Sequence, residues 1–373
     1  MKIGLVCDWY QPRVGGMEVH LEALAARLAA AGHEATVITP TAGPAGNAGP
    51  VRVVRVPGWH FPFLGVIWTP AAYRRLNAAI RDGGFDVVHV HSSIGSPAGY
   101  MGLLFAHRLG CPSVLTVHSL WGRYRLLPRV LELIFGWTRW PVVFSGVSAL
   151  VAGHMRPLLG GTPIPILPNA VDPGEWRLPH RDGGPGVVVV ACAMRLAVRK
   201  RGRALLDVLP GVLRRLPPDV RLKVRIAGDG PARAALERRA RSLGLREVVE
   251  FLGTIDRENI RDLLAGSDFF VLPTELEAFG IAALEARAAG LPVVAMRAGG
   301  VAGFVVHGEN GLLAGDDHEL GDHLARLASD RELRERIAAN NRAAPVEFTW
   351  ERSLAAHLQA YERARLLRRP ARS

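Results

Sequence analysis

The chain has 373 residues, 49% of them hydrophobic, which suits two globular domains and excludes a disordered chain. Its 46 basic residues outnumber 34 acidic ones, a net charge of +12 that favours anionic partners (nucleotides, anionic lipid or nucleic acid), although a composition biased to Arg would give the same charge. Three scattered cysteines, Cys7, Cys111 and Cys192, fit neither a disulfide framework nor a CxxC metal motif, and no apolar run reaches the roughly 18 residues of a membrane span.

The N-terminus enters "MKIGLVCDW" directly as a strand, without a signal-peptide apolar segment, so a cytosolic chain is expected. Short β-branched runs follow in order: IGLVCD, ATVIT, VRVVRV, DVVHVHS, SVLTVHS and VVFSGVS. Helical patterns lie between them near 17–31, 72–82, 96–109 and 149–159. Such near-continuous apolar runs suit strands buried on both faces of a parallel sheet. Residues 161–186 are rich in Pro and Gly and mark a joint. The pattern then restarts with VVVVACA, LKVRIAG, VVEFLG, DFFVLPT and LPVVAMR. Two successive βαβ series predict an α/β chain of two Rossmann-like, doubly wound domains, 1–170 and 171–349, followed by a helix in 350–373 with a basic tail.

A dinucleotide-dependent dehydrogenase lacks support. No GxGxxG follows the first strand, and in "AGDGPAR" Arg233 stands where the third glycine belongs.

Four stretches carry chemistry. After the first strand, Gly15 and Gly16 precede a helix, where paired glycines let backbone amides approach a phosphate; an ordinary strand-to-helix turn would look the same. In "AMRLAVRKRG", Arg195 and Lys200 lie five apart on a loop and can clamp a diphosphate, although solvated surface charge is the plainer reading. In "TELEAFGIAALEA", Glu277 sits on the loop after a strand, at the edge where open α/β sheets bind ligands. Gly280 is near the following helix N-terminus, and Glu285 on that helix can accept hydrogen bonds from a ribose diol; exposed acids that merely favour the helix dipole are the alternative. In "TVHSLWG", His118 ends a first-domain strand, with His89 and His91 of "VHVHSS" as weaker candidates. No spacing suggests a zinc site.

Taken in order, "GGMEVH", "VHVHSS", "TVHSLWG", "GVSALV", "ILPNAVDPGEW", "MRLAVRKRG", "IAGDGP", "FLGTI" and "ELEAFGIAALEARAAGLPVVA" resemble the retaining glycosyltransferases of family 4, over nearly the whole chain. The stretch 277–285 matches that family's E-x7-E signature. The resemblance implies a GT-B fold, with the two Rossmann-like domains facing a central cleft and the C-terminal helix crossing back to the N-terminal, acceptor-binding domain. It implies a nucleotide-sugar donor on the C-terminal domain. Glu277 would meet the transferred sugar and Glu285 the ribose. Amides around Phe279, Gly280 and Ile281 would support phosphate and sugar. Arg195 and Lys200 would hold the diphosphate in place of a metal, so no metal or cofactor is expected. Gly16, with Gly15, would meet the phosphate, and His118 would lie near the reacting sugar. Retention would follow from front-face departure, the leaving phosphate helping to deprotonate the acceptor. Two departures stand out: Met194 occupies a position where the family usually has Gly, and the following helix starts "RGRALLD", with an extra Arg where an apolar residue is common.

The first-half motifs are similar to the enzymes that add N-acetylglucosamine to phosphatidylinositol. That places UDP-N-acetylglucosamine first among donors, with GDP-mannose and UDP-glucose as alternatives. The segments 57–70 and 121–141 are unusual. The second mixes Arg123, Arg125, Arg129 and Arg139 with Trp121, Trp137 and Trp140, and six of the eight tryptophans fall in the first 140 residues. Such a mixture suits an anionic membrane surface and a lipid-linked hydroxyl acceptor, hence a peripheral protein at the inner face of the cytoplasmic membrane. The alternatives are a helix packed on its own domain and a soluble metabolite as acceptor. Rival classes are an inactive partner subunit and a nucleotide-sugar epimerase or hydrolase. No nucleic-acid partner is expected, because the basic residues are spread along the chain.

Overall fold

The computed structural model describes residues 1–368 apart from 14, 45, 57–58, 62–64, 68, 94, 121–125, 178, 180–183 and 345. The chain forms two compact units. One is Met1–Ala170 with Trp350–Ser373, and the other is Val171–Thr349.

In the first unit, β1 (Lys2–Cys7), α1 (Gly16–Ala30), β2 (Glu34–Thr39), β3 (Gly46–Ala48) and β4 (Val51–Arg55) build one half of a sheet. A short hairpin follows, β5 (Trp59–Phe61) with β6 (Gly65–Ile67). Then come α2 (Pro70–Gly83), β7 (Val87–Ser92), α3 (Pro97–Arg108), β8 (Ser113–Val117), α4 (Leu126–Phe135), β9 (Val142–Gly146) and α5 (Ala149–Leu159). The sheet order is β3-β4-β2-β1-β7-β8-β9, parallel except for the β3–β4 pair. β1, β7, β8 and β9 are almost wholly buried, because helices cover both faces.

In the second unit, α6 (Pro173–Trp176) precedes β10 (Val187–Ala193), α7 (Gly202–Leu213), β11 (Arg221–Ala227), α8 (Arg233–Ser242), β12 (Val249–Gly253) and α9 (Arg257–Ala265). The second half adds β13 (Phe269–Leu272), α10 (Ile281–Ala288), β14 (Val293–Met296), β15 (Gly311–Ala314), α11 (Asp317–Ser329) and α12 (Arg331–Ala343). Its sheet is all parallel, in the order β12-β11-β10-β13-β14-β15. Asp256, Asp316 and Asp330 cap α9, α11 and α12, each accepting from a first-turn amide.

The last helix, α13 (Trp350–Arg368), packs in the first unit against β8, β9 and α1. Its buried Trp350, Ala360, Tyr361 and Ala364 join the core formed by Ile3, Leu5, Leu21, Leu24 and Leu28. A polar-looking terminal sequence therefore completes a core at the other end of the chain.

The structure adds elements that the sequence pattern did not single out: β3, the β5–β6 hairpin and β15. The first two contain only three residues per strand, and β15 is the short GLLA, so none has a run long enough to register as a strand.

Both sheets have a reversal of strand order. It falls between β1 and β7 in the first and between β10 and β13 in the second. Loops leaving the carboxyl ends of these strands flank the crevice where open α/β sheets take ligands.

Candidate active site

In the second unit, two loops meet at the β10/β13 reversal. The loop after β10 ends in a single 3-10 turn, Val198–Lys200, and the loop after β13 carries Glu277. Lys200 Nζ lies 2.6 Å from Glu277 Oε2, with the two side chains only 16% and 15% exposed. Thr274 Oγ1 donates to the Lys200 carbonyl at 3.3 Å, tying the loops a second time. Arg195 is exposed on the same loop as Lys200, and its guanidinium makes no ion pair among the described residues. The structure thus pairs Lys200 with Glu277, and Arg195 is paired with neither.

Met194 is compatible with this loop. Its backbone does not need positive φ, and its side chain is buried. The glycines that the geometry requires lie on the facing loop. A Cβ at Gly228 (φ 124°) would stand 2.0 Å from the Met194 carbonyl oxygen, and one at Gly230 (φ 155°) 2.4 Å from that of Leu196. "AGDGP" therefore serves close packing under the loop of Arg195 rather than a dinucleotide.

Gly280 is the N-cap of α10 at φ 95°, and a Cβ there would meet Val301 Cγ2 at 2.5 Å. Ile281 opens the helix. The Phe279 side chain is buried against Phe304 and Phe348, with ring centroids 5.5 and 5.4 Å away, so only its backbone faces the loop. Gly299 and Gly300, which sequence reasoning missed, brace the same loop. Gly300 N–H donates to the Glu277 carbonyl at 2.7 Å, and a Cβ at Gly300 would lie 2.2 Å from the Ala278 carbonyl oxygen.

Glu285 lies on α10, and its carboxylate accepts no hydrogen bond from a described residue. Burial pushes its carboxyl up to about 8, partly countered by Arg257, while Glu175 raises it further. Arg257 itself pairs with Glu175 at 2.5 Å and lies over the Trp176 ring at 5.4 Å. Neither Arg257 nor Glu175 was singled out from sequence; the only signal was their place in "DPGEW" and at the start of α9.

In the first unit, α1 begins at Gly16 with Gly15 as an extended N-cap. Glu18 folds back over this end. Its Oε2 lies 2.5 Å from where a Gly15 Cβ would stand, and its Oε1 lies 3.2 Å from Arg13 Nε. An acidic side chain in the first turn is favourable at a helix N-terminus. The neighbouring Asp8 side chain accepts from Ala98 N–H at 2.8 Å and Gly99 N–H at 3.2 Å, fixing the start of α3. Burial pushes its carboxyl up to about 7.

His118 follows β8, and its ring is not alone. His118 Nε2 and His91 Nδ1 are 2.9 Å apart and share a hydrogen bond. His89 bonds Tyr361 Oη at 2.9 Å and Thr116 Oγ1 at 2.7 Å. His20 stacks on Trp350, with centroids 5.0 Å apart, and His357 bonds the Ser353 carbonyl at 2.7 Å. Burial pushes His118 down to about 3 and His357 to about 4, and it holds His20, His89 and His91 well below the usual imidazole range. These rings are neutral at pH 7. His20 and His357 were not foreseen, because they come from helices far apart in sequence. Among the described residues no group of three or more His, Cys, Asp or Glu is arranged to hold a metal ion.

Trp121, Arg123 and Arg125 lie outside the described residues. Arg129 is exposed on α4, whose Leu126, Val130, Leu133, Ile134 and Phe135 are 43–88% exposed. Behind α4 a small apolar cavity of about 90 Å³ is lined by residues including Leu104, Val117, Leu131, Trp137 and Trp140. No described helix is long and apolar enough to cross a membrane.

The family model described as glycosyl transferases group 1 matches residues 185–344, and that of glycosyltransferase family 4 matches residues 14–175. A phosphatidylinositol N-acetylglucosaminyltransferase component of Arabidopsis thaliana is 30% identical, over 81% of this chain and 68% of its own. The D-inositol 3-phosphate glycosyltransferase of Xylanimonas cellulosilytica is 31% identical, over 96% and 94%. The phosphatidyl-myo-inositol mannosyltransferase of Mycobacterium leprae is 29% identical, over 97% and 96%. Among solved structures, HepE of Anabaena with UDP and glucose superposes with a TM-score of 0.76 at 21% identity, covering 97% of this chain and 98% of that one. The sucrose-phosphate synthase of Thermosynechococcus elongatus gives 0.77 at 18%, with the same coverage. These structures share the GT-B fold of two Rossmann-like domains. The chain belongs to glycosyltransferase family 4 and is a hexosyltransferase.

Proposed function

We propose that the chain moves a sugar from a nucleotide-diphosphate sugar, UDP-N-acetylglucosamine first, to a hydroxyl of a lipid-linked acceptor at an anionic membrane surface, with retention of configuration. The observation that carries the transfer is the Lys200–Glu277 pair at the strand-order reversal, a cation and a sheltered carboxylate within one hydrogen bond of each other. Lys200, with Arg195, neutralises the departing diphosphate, whose developing negative charge preplaced cations stabilise most in the transition state. Glu277 accepts hydrogen bonds from the transferred sugar's hydroxyls. Glu285 accepts from the ribose diol, and the amides at Phe279, Gly280 and Ile281 support phosphate and sugar. In the first unit, we assign a hydroxyl contact to His118, which buried His91 holds in place, and a phosphate contact to the Gly15 and Gly16 amides once the Glu18 carboxylate turns away from them. The leaving phosphate oxygen takes the acceptor's proton.

A UDP-sugar is supported by the Arabidopsis relative, whose name is that of an N-acetylglucosaminyltransferase. A GDP-mannose donor is the second reading, because a Mycobacterium tuberculosis relative, 28% identical over 96% of this chain, is named as GDP-mannose-dependent. An acceptor built on inositol, lipid-linked or phosphorylated, is supported by the relatives' names. The exposed apolar face of α4 beside Arg129 and Arg139 supports the lipid-linked form and an anionic membrane surface as partner.

Thermal unfolding with UDP-N-acetylglucosamine, UDP-glucose and GDP-mannose tests the donor, because a ligand that binds only the folded chain raises its apparent stability. UDP-N-acetylglucosamine is expected to give the largest rise. A rise with GDP-mannose alone would favour the second reading, and no rise with any donor would contradict both.

A further inference from the structure

Among the described residues, Arg201 is the one non-glycine with positive φ, at 57°. That left-handed region is unfavourable for a side chain with a Cβ, and a glycine would occupy it without strain. The strained residue sits between Lys200 and the first residue of α7, Gly202. Its guanidinium spans three acceptors. Nη1 lies 2.7 Å from Glu275 Oε1 and 3.2 Å from the Pro273 carbonyl, and Nη2 lies 2.6 Å from Asp317 Oδ1.

Two neighbouring residues thus reach the same loop from one turn: Lys200 at Glu277 and Arg201 at Glu275. Arg201 also ties that loop to the start of α11. Arg201 is 21% exposed but Glu275 and Asp317 are each 46% exposed, so water screens both ion pairs. Screened pairs are a weak stability reason to keep an arginine where glycine would sit without strain. Backbone strain maintained beside a ligand site points to function.

We propose that Arg201 is a positioning residue for the donor. It holds the β13–α10 loop in place while the Lys200–Glu277 pair opens, so that Lys200 turns to the diphosphate and Glu277 to the sugar without the loop moving. This rests on the reading of Lys200 and Glu277 as donor ligands. Glycine at position 201 removes the strain and the clamp together. The bidentate reach of the guanidinium is what matters, because a lysine amine offers no planar fork to bridge Glu275 and Asp317.

The test measures UDP and GDP binding by calorimetry, with steady-state kinetics, for Arg201→Gly, Arg201→Lys, Glu275→Gln and the double variant Arg201→Gly/Glu275→Gln. For Arg201→Gly we expect a melting temperature equal to or above that of the native chain. The Kd of the nucleotide that binds and the donor KM should rise about tenfold, with the acceptor KM unchanged. Glu275→Gln should weaken donor binding in the same direction, the double variant should add little, and Arg201→Lys should not restore native affinity. Native donor affinity in Arg201→Gly would overturn the proposal, as would a lowered melting temperature with equal loss of donor and acceptor affinity. Should Arg201→Gly fail to fold, Glu275→Gln and Asp317→Asn decide by the same readout. Lys200→Ala measured alongside separates the two claims. Unchanged nucleotide binding in Lys200→Ala overturns the donor site itself, whereas a loss there with none in Arg201→Gly overturns only the positioning role.

Discussion

Lys200 and Glu277, 77 residues apart in sequence, form a 2.6 Å ion pair at the carboxyl edge of the second sheet. Each neutralises the other until a ligand supplies better partners. On the proposed function, a diphosphate takes the lysine and sugar hydroxyls take the carboxylate. Glu277→Gln and Lys200→Ala should each lower kcat/KM by about 100-fold, the scale of losing one preorganised transition-state contact. The double variant should lose much less than the product of the two, because the residues act as a unit. Independent, multiplicative losses would show that the pair does not work together.

Glu285 gives a pH dependence. Its carboxyl is raised to about 8 in the folded chain, so between the ordinary value and about pH 8 the folded chain holds a proton that the unfolded chain releases. Its contribution to stability therefore falls as pH rises through that window. A protonated carboxyl is the poorer acceptor for a ribose diol. Nucleotide affinity should rise between pH 6.5 and 8.5 in the native chain and be weaker and flatter in Glu285→Gln, as read by calorimetry.

The buried histidines of the first unit act with the opposite sign. His20, His89, His91, His118 and His357 are all depressed, so between pH 6.5 and about 4 the unfolded chain binds protons that the folded chain excludes. Stability is kept above pH 6.5 and lost progressively as pH falls below it. Urea unfolding followed by hydrogen exchange in the first unit should show this fall. His20→Phe, which keeps a ring against Trp350, should reduce it by about one histidine's share. An unchanged pH slope in that variant would count against the assignment.

How much of this was legible in the sequence depends on the range of each interaction. The strands and the two βαβ series were readable because buried parallel strands are continuous apolar runs, as in VVVVACA. Glu277, Glu285, Lys200 and His118 were nameable from local motifs that place them after strands. What stayed hidden is contact between distant segments: the Lys200–Glu277 distance, the Arg257–Glu175 pair beside Glu285, and His357 brought by α13 to His89. Gly228 and Gly230 read as half of a nucleotide fingerprint, and only the packing against Met194 and Leu196 revealed their role. Arg201 looked like one more charge in a basic run. Its φ distinguishes it, and sequence does not encode that openly.

On the proposed function, the apolar face of α4 is where the chain would meet a bilayer. Leu133, 88% exposed, and Ile134, 63% exposed, would lie in the interface. The native chain should sediment with anionic vesicles at low salt, and Leu133→Glu/Ile134→Glu should abolish this while leaving nucleotide binding intact. Arg129→Ala should weaken sedimentation most at low salt, because screening removes its contribution. Equal sedimentation of native and Leu133→Glu/Ile134→Glu chains would show that α4 does not bind the vesicle surface.

Transfer of labelled sugar from UDP-N-acetylglucosamine to phosphatidylinositol vesicles, run with native chain, Glu277→Gln and Lys200→Ala, tests the proposed function directly. The native chain should label the lipid, and either variant should do so at about one hundredth of that rate. Transfer at the native rate by both variants would contradict the assignment of Lys200 and Glu277 as the groups that hold the donor.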